Sequence, residues 1–66
     1  GMNLRKEGNT IIVTGAKGKE LTIYDVSGRP IRCERVLSNV DSISIYGQPS
    51  GIYVIKVAQE IFKIRF

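Results

Sequence analysis

Apolar residues in this chain recur at every second position almost throughout, and no stretch shows the roughly 3.6-residue spacing of an amphipathic helix. The pattern predicts short strands separated by turns. Asn3 to Glu7 reads as either a first edge strand or a tether, followed by a Gly8-Asn9 turn. Thr10 to Thr14 is a strand around Ile11, Ile12 and Val13, whose β-branched side chains suit a pleated surface. Gly15 and Gly18 then break the chain. The next strand runs from Glu20 to Val26, with Leu21 and Ile23 on one face and Thr22 and Tyr24 on the other. Val26-Ser27-Gly28-Arg29 is a tight turn, with Gly28 the residue expected at positive φ.

Pro30 lacks an N–H and is expected at the start of a strand running to Val36 or at a sheet edge. Leu37 to Asp41 is a polar connection, and Ser42 to Ile45 alternates strictly with Ile43 and Ile45 inward. After the Tyr46 to Gly51 loop, the run from Ile52 to Ala58 is apolar on both faces, with Tyr53, Ile55 and Val57 sharing one of them. Such a strand belongs in the middle of a sheet. Gln59-Glu60 is expected as the hairpin loop, or a longer loop including Ala58, because neither residue favours positive φ. Ile61 to Phe66 closes the chain, with Phe62, Ile64 and Phe66 on one face and Lys63 and Arg65 on the other. Six or seven short strands with regular turn signals point to an all-β fold, a small antiparallel β-sandwich or barrel.

Sixty-six residues make one domain with a modest core, and a 42% hydrophobic content fits a globular chain. Residues 10–66 are expected to form the sandwich, and residues 1–9 a tether or edge strand in which Gly1 ahead of Met2 reads as the scar of a cleaved tag. The chain is either a short gene product or the tail of a longer protein. No apolar run nears the roughly 20 residues needed to span a bilayer, so membrane insertion is not expected. Met2-Asn3-Leu4-Arg5-Lys6 leads into a polar stretch, unlike a signal peptide.

The net charge of +4 raises nucleic acid as a partner, but basic and acidic residues are interleaved and no binding is expected. Tyr24 and Tyr53 follow apolar residues on strands and read as core or half-core packing rather than base-stacking platforms. With no histidine, the chain has no Ser-His or Cys-His pair and no histidine metal ligand. The carboxylates Glu7, Glu20, Asp25, Glu34, Asp41 and Glu60 have a solvated pattern. Gly15-Ala16-Lys17-Gly18 lacks the spacing of a phosphate loop. Cys33, the only cysteine, shares a face with Ile31 by alternation and is expected as a buried thiol. No enzyme activity and no cofactor is expected.

Two segments carry a resemblance: Leu21-Thr22-Ile23-Tyr24-Asp25-Val26-Ser27-Gly28-Arg29-Pro30-Ile31, and Ser50-Gly51-Ile52-Tyr53-Val54-Ile55-Lys56-Val57. With the closing Phe62-Lys63-Ile64-Arg65-Phe66, they resemble the C-terminal sorting domain of proteins exported by the type IX secretion system. The resemblance covers about residues 10–66 and implies an immunoglobulin-like sandwich in a larger secreted or cell-surface protein. That domain would be read by outer-membrane export machinery. Gly28, Pro49, Gly51, Tyr53 and Lys63 match the family's most characteristic positions and are the expected partner-recognition residues. The alternative is an immunoglobulin-like interaction or spacer domain of a cell-surface protein. The closing strand leaves β-augmentation by a partner, or a homodimer through its edge, open.

Overall fold

The computed structural model describes residues 1–66 and contains seven strands and no helix. They are β1 (Asn3–Glu7), β2 (Thr10–Thr14), β3 (Glu20–Tyr24), β4 (Pro30–Arg35), β5 (Val40–Ser44), β6 (Ile52–Val57) and β7 (Glu60–Arg65). They form a three-stranded sheet, β1-β2-β5, and a four-stranded sheet, β4-β3-β6-β7. Every pairing is antiparallel. β3 leaves the first sheet and β5 returns to it, so the fourth strand pairs with the third rather than the fifth. The immunoglobulin constant-type sandwich instead puts its fourth strand beside the fifth.

A single core joins the layers. Leu4, Ile11, Val13, Ile43 and Ile45 come from the three-stranded side, and Leu21, Ile23, Tyr53, Ile55 and Val57 from the other, with Ala16 and Val36 adding to the core from the loops beside Lys19 at one end. No polar or charged side chain is buried among them. The period-two expectation holds at these positions: Leu21 and Ile23 on β3, and Tyr53, Ile55 and Val57 on β6, all face inward. β6 lies between β3 and β7, the central position its two apolar faces require.

Three local features depart from the linear reading. β3 stops at Tyr24, two residues short of the expected end, because Asp25 begins a side-chain-bonded turn described below. β5 begins at Val40 rather than Ser42, because β2 offers it partners in Thr14 and Val13. The third concerns Cys33, which is exposed and not the expected buried thiol.

A β-bulge is the cause. Tyr24 opposes Pro30 but Ile23 opposes Arg32, leaving Ile31 as the extra residue. Ile31 packs against the core, and the alternation then changes phase. Cys33 ends up opposite Thr22 on the outer face, 3.4 Å from its hydroxyl. Arg32 and Glu34 instead lie on the core-facing side of this edge strand, opposite Ile23 and Leu21. They form an ion pair, and the Arg32 guanidinium also donates to the Ser44 carbonyl on β5, tying one sheet to the other.

The last hairpin also differs from expectation. Val57 opposes Glu60, so its two-residue loop is Ala58-Gln59, with Ala58 at φ 56°. The first hairpin places Gly8 at the equivalent position, at φ 62°. Alanine in this region carries a strain of about 1–2 kcal/mol, which glycine lacks. Glycine's greater freedom in the unfolded chain offsets about 0.4–1 kcal/mol of that. Ala58→Gly is therefore expected to stabilise the domain by about 0.5–1 kcal/mol, a rise of roughly 4 °C in Tm. An unchanged or lower Tm in thermal denaturation would show that the loop relaxes without help.

Candidate functional site

The two turn motifs, far apart in sequence, meet at one end of the sandwich. β3 and β6 are neighbours, so the turn leaving β3 stands beside the loop entering β6. Between them lies a cleft of about 260 Å³, walled by Asp25 to Ser27 and Arg29 on one side and Gln48 to Tyr53 on the other. It is open to solvent.

The first wall is organised by Asp25. Its Oδ1 accepts from the Ser27 N–H at 3.0 Å, the Ser27 hydroxyl at 2.7 Å and the Arg29 N–H at 3.0 Å. The backbone closes the same turn, with the Gly28 N–H donating to the Asp25 carbonyl and the Asp25 N–H to the Arg29 carbonyl, both at 3.0 Å. Gly28 sits at φ 87° with open space where a Cβ would be, so it is required by conformation and not by crowding. Asp25 is the residue sequence reading missed. Its signal was present: an aspartate two residues before a serine and three before a glycine is how a side chain replaces strand pairing with its own turn.

The Ser27 hydroxyl, with the Arg29 N–H next in weight, holds the Asp25 carboxyl below its ordinary value. A lowered folded-state pKa means the carboxylate's stabilising contribution is present above the unfolded value and is lost as pH falls through the folded value. Asp25→Asn is thus expected to lower Tm near neutral pH, with the gap to the parent chain narrowing as pH drops below about 4. A pH-independent gap in paired melting curves would assign the effect to something other than the carboxylate's charge.

The second wall is pinned from inside. Tyr53 is 4% exposed, and its hydroxyl donates to the Pro49 carbonyl. This resembles the tyrosine corner of sandwich domains, in which a core tyrosine clamps backbone a few residues upstream. Gly51 and Phe66 exchange two hydrogen bonds of 2.7 Å, and the Phe66 ring meets Tyr53 edge-on at 5.9 Å. Gly51 adopts φ 154°, at the margin of the region that favours glycine.

The structure therefore brings Pro49, Gly51 and Tyr53 to one cleft, while Gly28 shapes the turn that carries its first wall without lining it. Lys63 is elsewhere. It lies on β7 opposite Val54, on the outer face of the four-stranded sheet. Ile52 links the two regions, since it lines the cleft and also pairs with Arg65 on that outer face. Of the tyrosines, Tyr24 is half-buried, and Tyr46 in the loop is 85% exposed. Val26, at the cleft rim, is 78% exposed. No group of three or more Asp, Glu, Cys or His side chains is arranged to hold a metal ion.

A family model described as secretion system C-terminal sorting domain matches residues 5–65. No curated protein and no solved structure matches the chain.

Proposed function

The chain belongs to the secretion system C-terminal sorting domain family, and from that premise we propose that it acts by being recognised by export machinery, without catalysis of its own. Type IX sorting tails direct the proteins that carry them across the outer membrane, to the cell surface or beyond. The proposed reading surface is the cleft lined by Pro49, Gly51 and Tyr53, with the Gly28 turn at its first wall, continued through Ile52 onto the outer face that holds Lys63. The observation that carries this reading is the convergence of the two family motifs on one exposed cleft, while the interior holds no charged group.

The test is a reporter preceded by a signal peptide and followed by residues 1–66, expressed in a host with a type IX system. The whole chain is used because Leu4 of β1 is part of the core. The reporter is expected outside the cell, and a stable fusion held in the periplasm would overturn the reading. Val26→Asp probes the cleft without touching the core, since Val26 is exposed. It is expected to leave Tm unchanged and to reduce export. Removing Ile64 to Phe66 is a poor probe. Ile64 pairs with Tyr53 and Phe66 bonds to Gly51, so the deletion unfastens the cleft and the core together.

A further inference from the structure

The sandwich has four edge strands, and β7 is the one left open. An exposed edge invites another strand, and proteins block it with charged residues that point inward. The register shows such a residue on three of the edges. Lys6 on β1 opposes the buried Ile11, Arg32 and Glu34 on β4 oppose Ile23 and Leu21, and Asp41 on β5 opposes Val13. On β7, apart from Glu60 beside the hairpin turn, the inward positions are Phe62 and Ile64. Both pack against the core yet remain half-buried.

The backbone of β7 is poised in the same sense. Gly51 and Phe66 form a mutually hydrogen-bonded pair, and such pairs alternate along an antiparallel ladder. The N–H and C=O groups of Phe62 and Ile64 therefore point at β6, and those of Ile61, Lys63 and Arg65 point away from it, where no strand of the sheet lies. The same three residues turn their side chains to the outer face. Neither Lys63 nor Arg65 has an acidic partner within ion-pair distance, whereas Glu7, Asp25 and Glu34 are paired with other arginines.

We infer that the β7 edge is a docking site for an extended segment of a partner protein with acidic and apolar residues in alternation. The added strand would bond to the free backbone groups of Ile61, Lys63 and Arg65. Its apolar residues would continue the half-buried row of Phe62 and Ile64, and its carboxylates would lie beside Lys63 and Arg65 as cross-strand pairs. A second copy of the chain is disfavoured in the register that uses all three free residues. Antiparallel self-pairing from Ile61 to Arg65 sets Lys63 against its own counterpart, and like charges directly opposite repel. The inference deepens the recognition reading above and rests on it for the partner's identity as export machinery, but its chemistry is tested independently.

The probe is a short capped peptide alternating glutamate with valine, added to the isotope-labelled full chain and compared with a peptide alternating lysine with valine. Amide exchange is expected to slow at Ile61, Lys63 and Arg65, with little change at Phe62 and Ile64, which are already bonded to β6. The glutamate peptide is expected to bind about tenfold more tightly. Lys63→Glu with Arg65→Glu, both at exposed positions, is expected to keep the Tm and to reverse the preference. Equal binding of both peptides, no slowing at those three amides, or slowing that follows protein concentration without peptide would each overturn the inference. If the parent tail exports the reporter and the double variant does so equally well, the edge inference fails and the reading surface shrinks to the cleft, while the sorting role itself stands. If the peptide results hold but the parent tail exports nothing, the sorting reading fails alone.

Discussion

Ile55→Ala is expected to leave most of the chain unfolded near physiological temperature. Ile55 is fully buried on the central strand β6, between Ile23 on β3 and Phe62 on β7, and faces the other sheet. Truncating such a side chain costs about 2–5 kcal/mol, because the lost burial is joined by the cavity left behind. A domain of 66 residues has a total stability of about 3–10 kcal/mol. The penalty is therefore comparable with everything the fold has, and no disulfide is present to make up the difference. Ile55→Val, which removes a single methylene, should cost only about 0.5–1.5 kcal/mol. Ile61→Ala on β7, at a position 69% exposed, serves as the surface control and should cost little. Chemical denaturation followed by circular dichroism separates the three. A loss below about 1 kcal/mol for Ile55→Ala would mean that the two layers close over the gap and that the core is less rigid than its burial implies.

The parts of this fold that were legible in the sequence are those governed by strict alternation. β3 and the Ser42 to Ile45 stretch each present a two-residue period with apolar residues on one side, so Leu21, Ile23, Ile43 and Ile45 are legible as core, whereas β6 shows only that Tyr53, Ile55 and Val57 share a face. What alternation cannot show is a change of phase. The bulge at Ile31 reverses the faces of β4, and this turns Cys33 outward and brings Arg32 and Glu34 round to the core side. Bulges are set by how an edge strand must twist to reach its neighbours, which is a property of the sheet and not of six residues. The Ala58-Gln59 loop was hidden for a similar reason. Its register is fixed by the pairing of Val57 with Glu60, and the fold accepts an alanine at positive φ to keep that pairing.

The candidate site was half legible. Both turn motifs stand out in the linear chain, and the glycines in them announce the turns. Their convergence does not, because it depends on β3 and β6 being neighbours across a crossover that the sequence does not encode locally. The same topology separates Lys63 from the cleft. Residues read from the sequence as one set thus fall in two adjoining regions: the cleft and its flanking turn at the end of the sandwich, and the outer face of the open β7 edge.

Tyr53 is where core and cleft are the same residue, and its two substitutions should separate those roles. Tyr53→Ala removes a buried aromatic that packs edge-on against Phe66 and opposes Ile64, and it is expected to cost about 3–5 kcal/mol. That is the second change able to unfold the domain. Tyr53→Phe keeps the ring and its packing and deletes only the hydroxyl that holds the Pro49 carbonyl. The expected loss is about 1 kcal/mol, the net worth of one such bond. The remaining effect should be local: faster amide exchange through Gln48 to Ser50, where the loop is no longer clamped, with β6 and β7 unchanged. Under the sorting reading, a loosened wall reshapes the cleft, so export by the phenylalanine variant should fall further than that of a surface-strand variant matched to it in Tm. Equal export by the two would show that the machinery does not read the cleft and would leave the open β7 edge as its remaining point of contact.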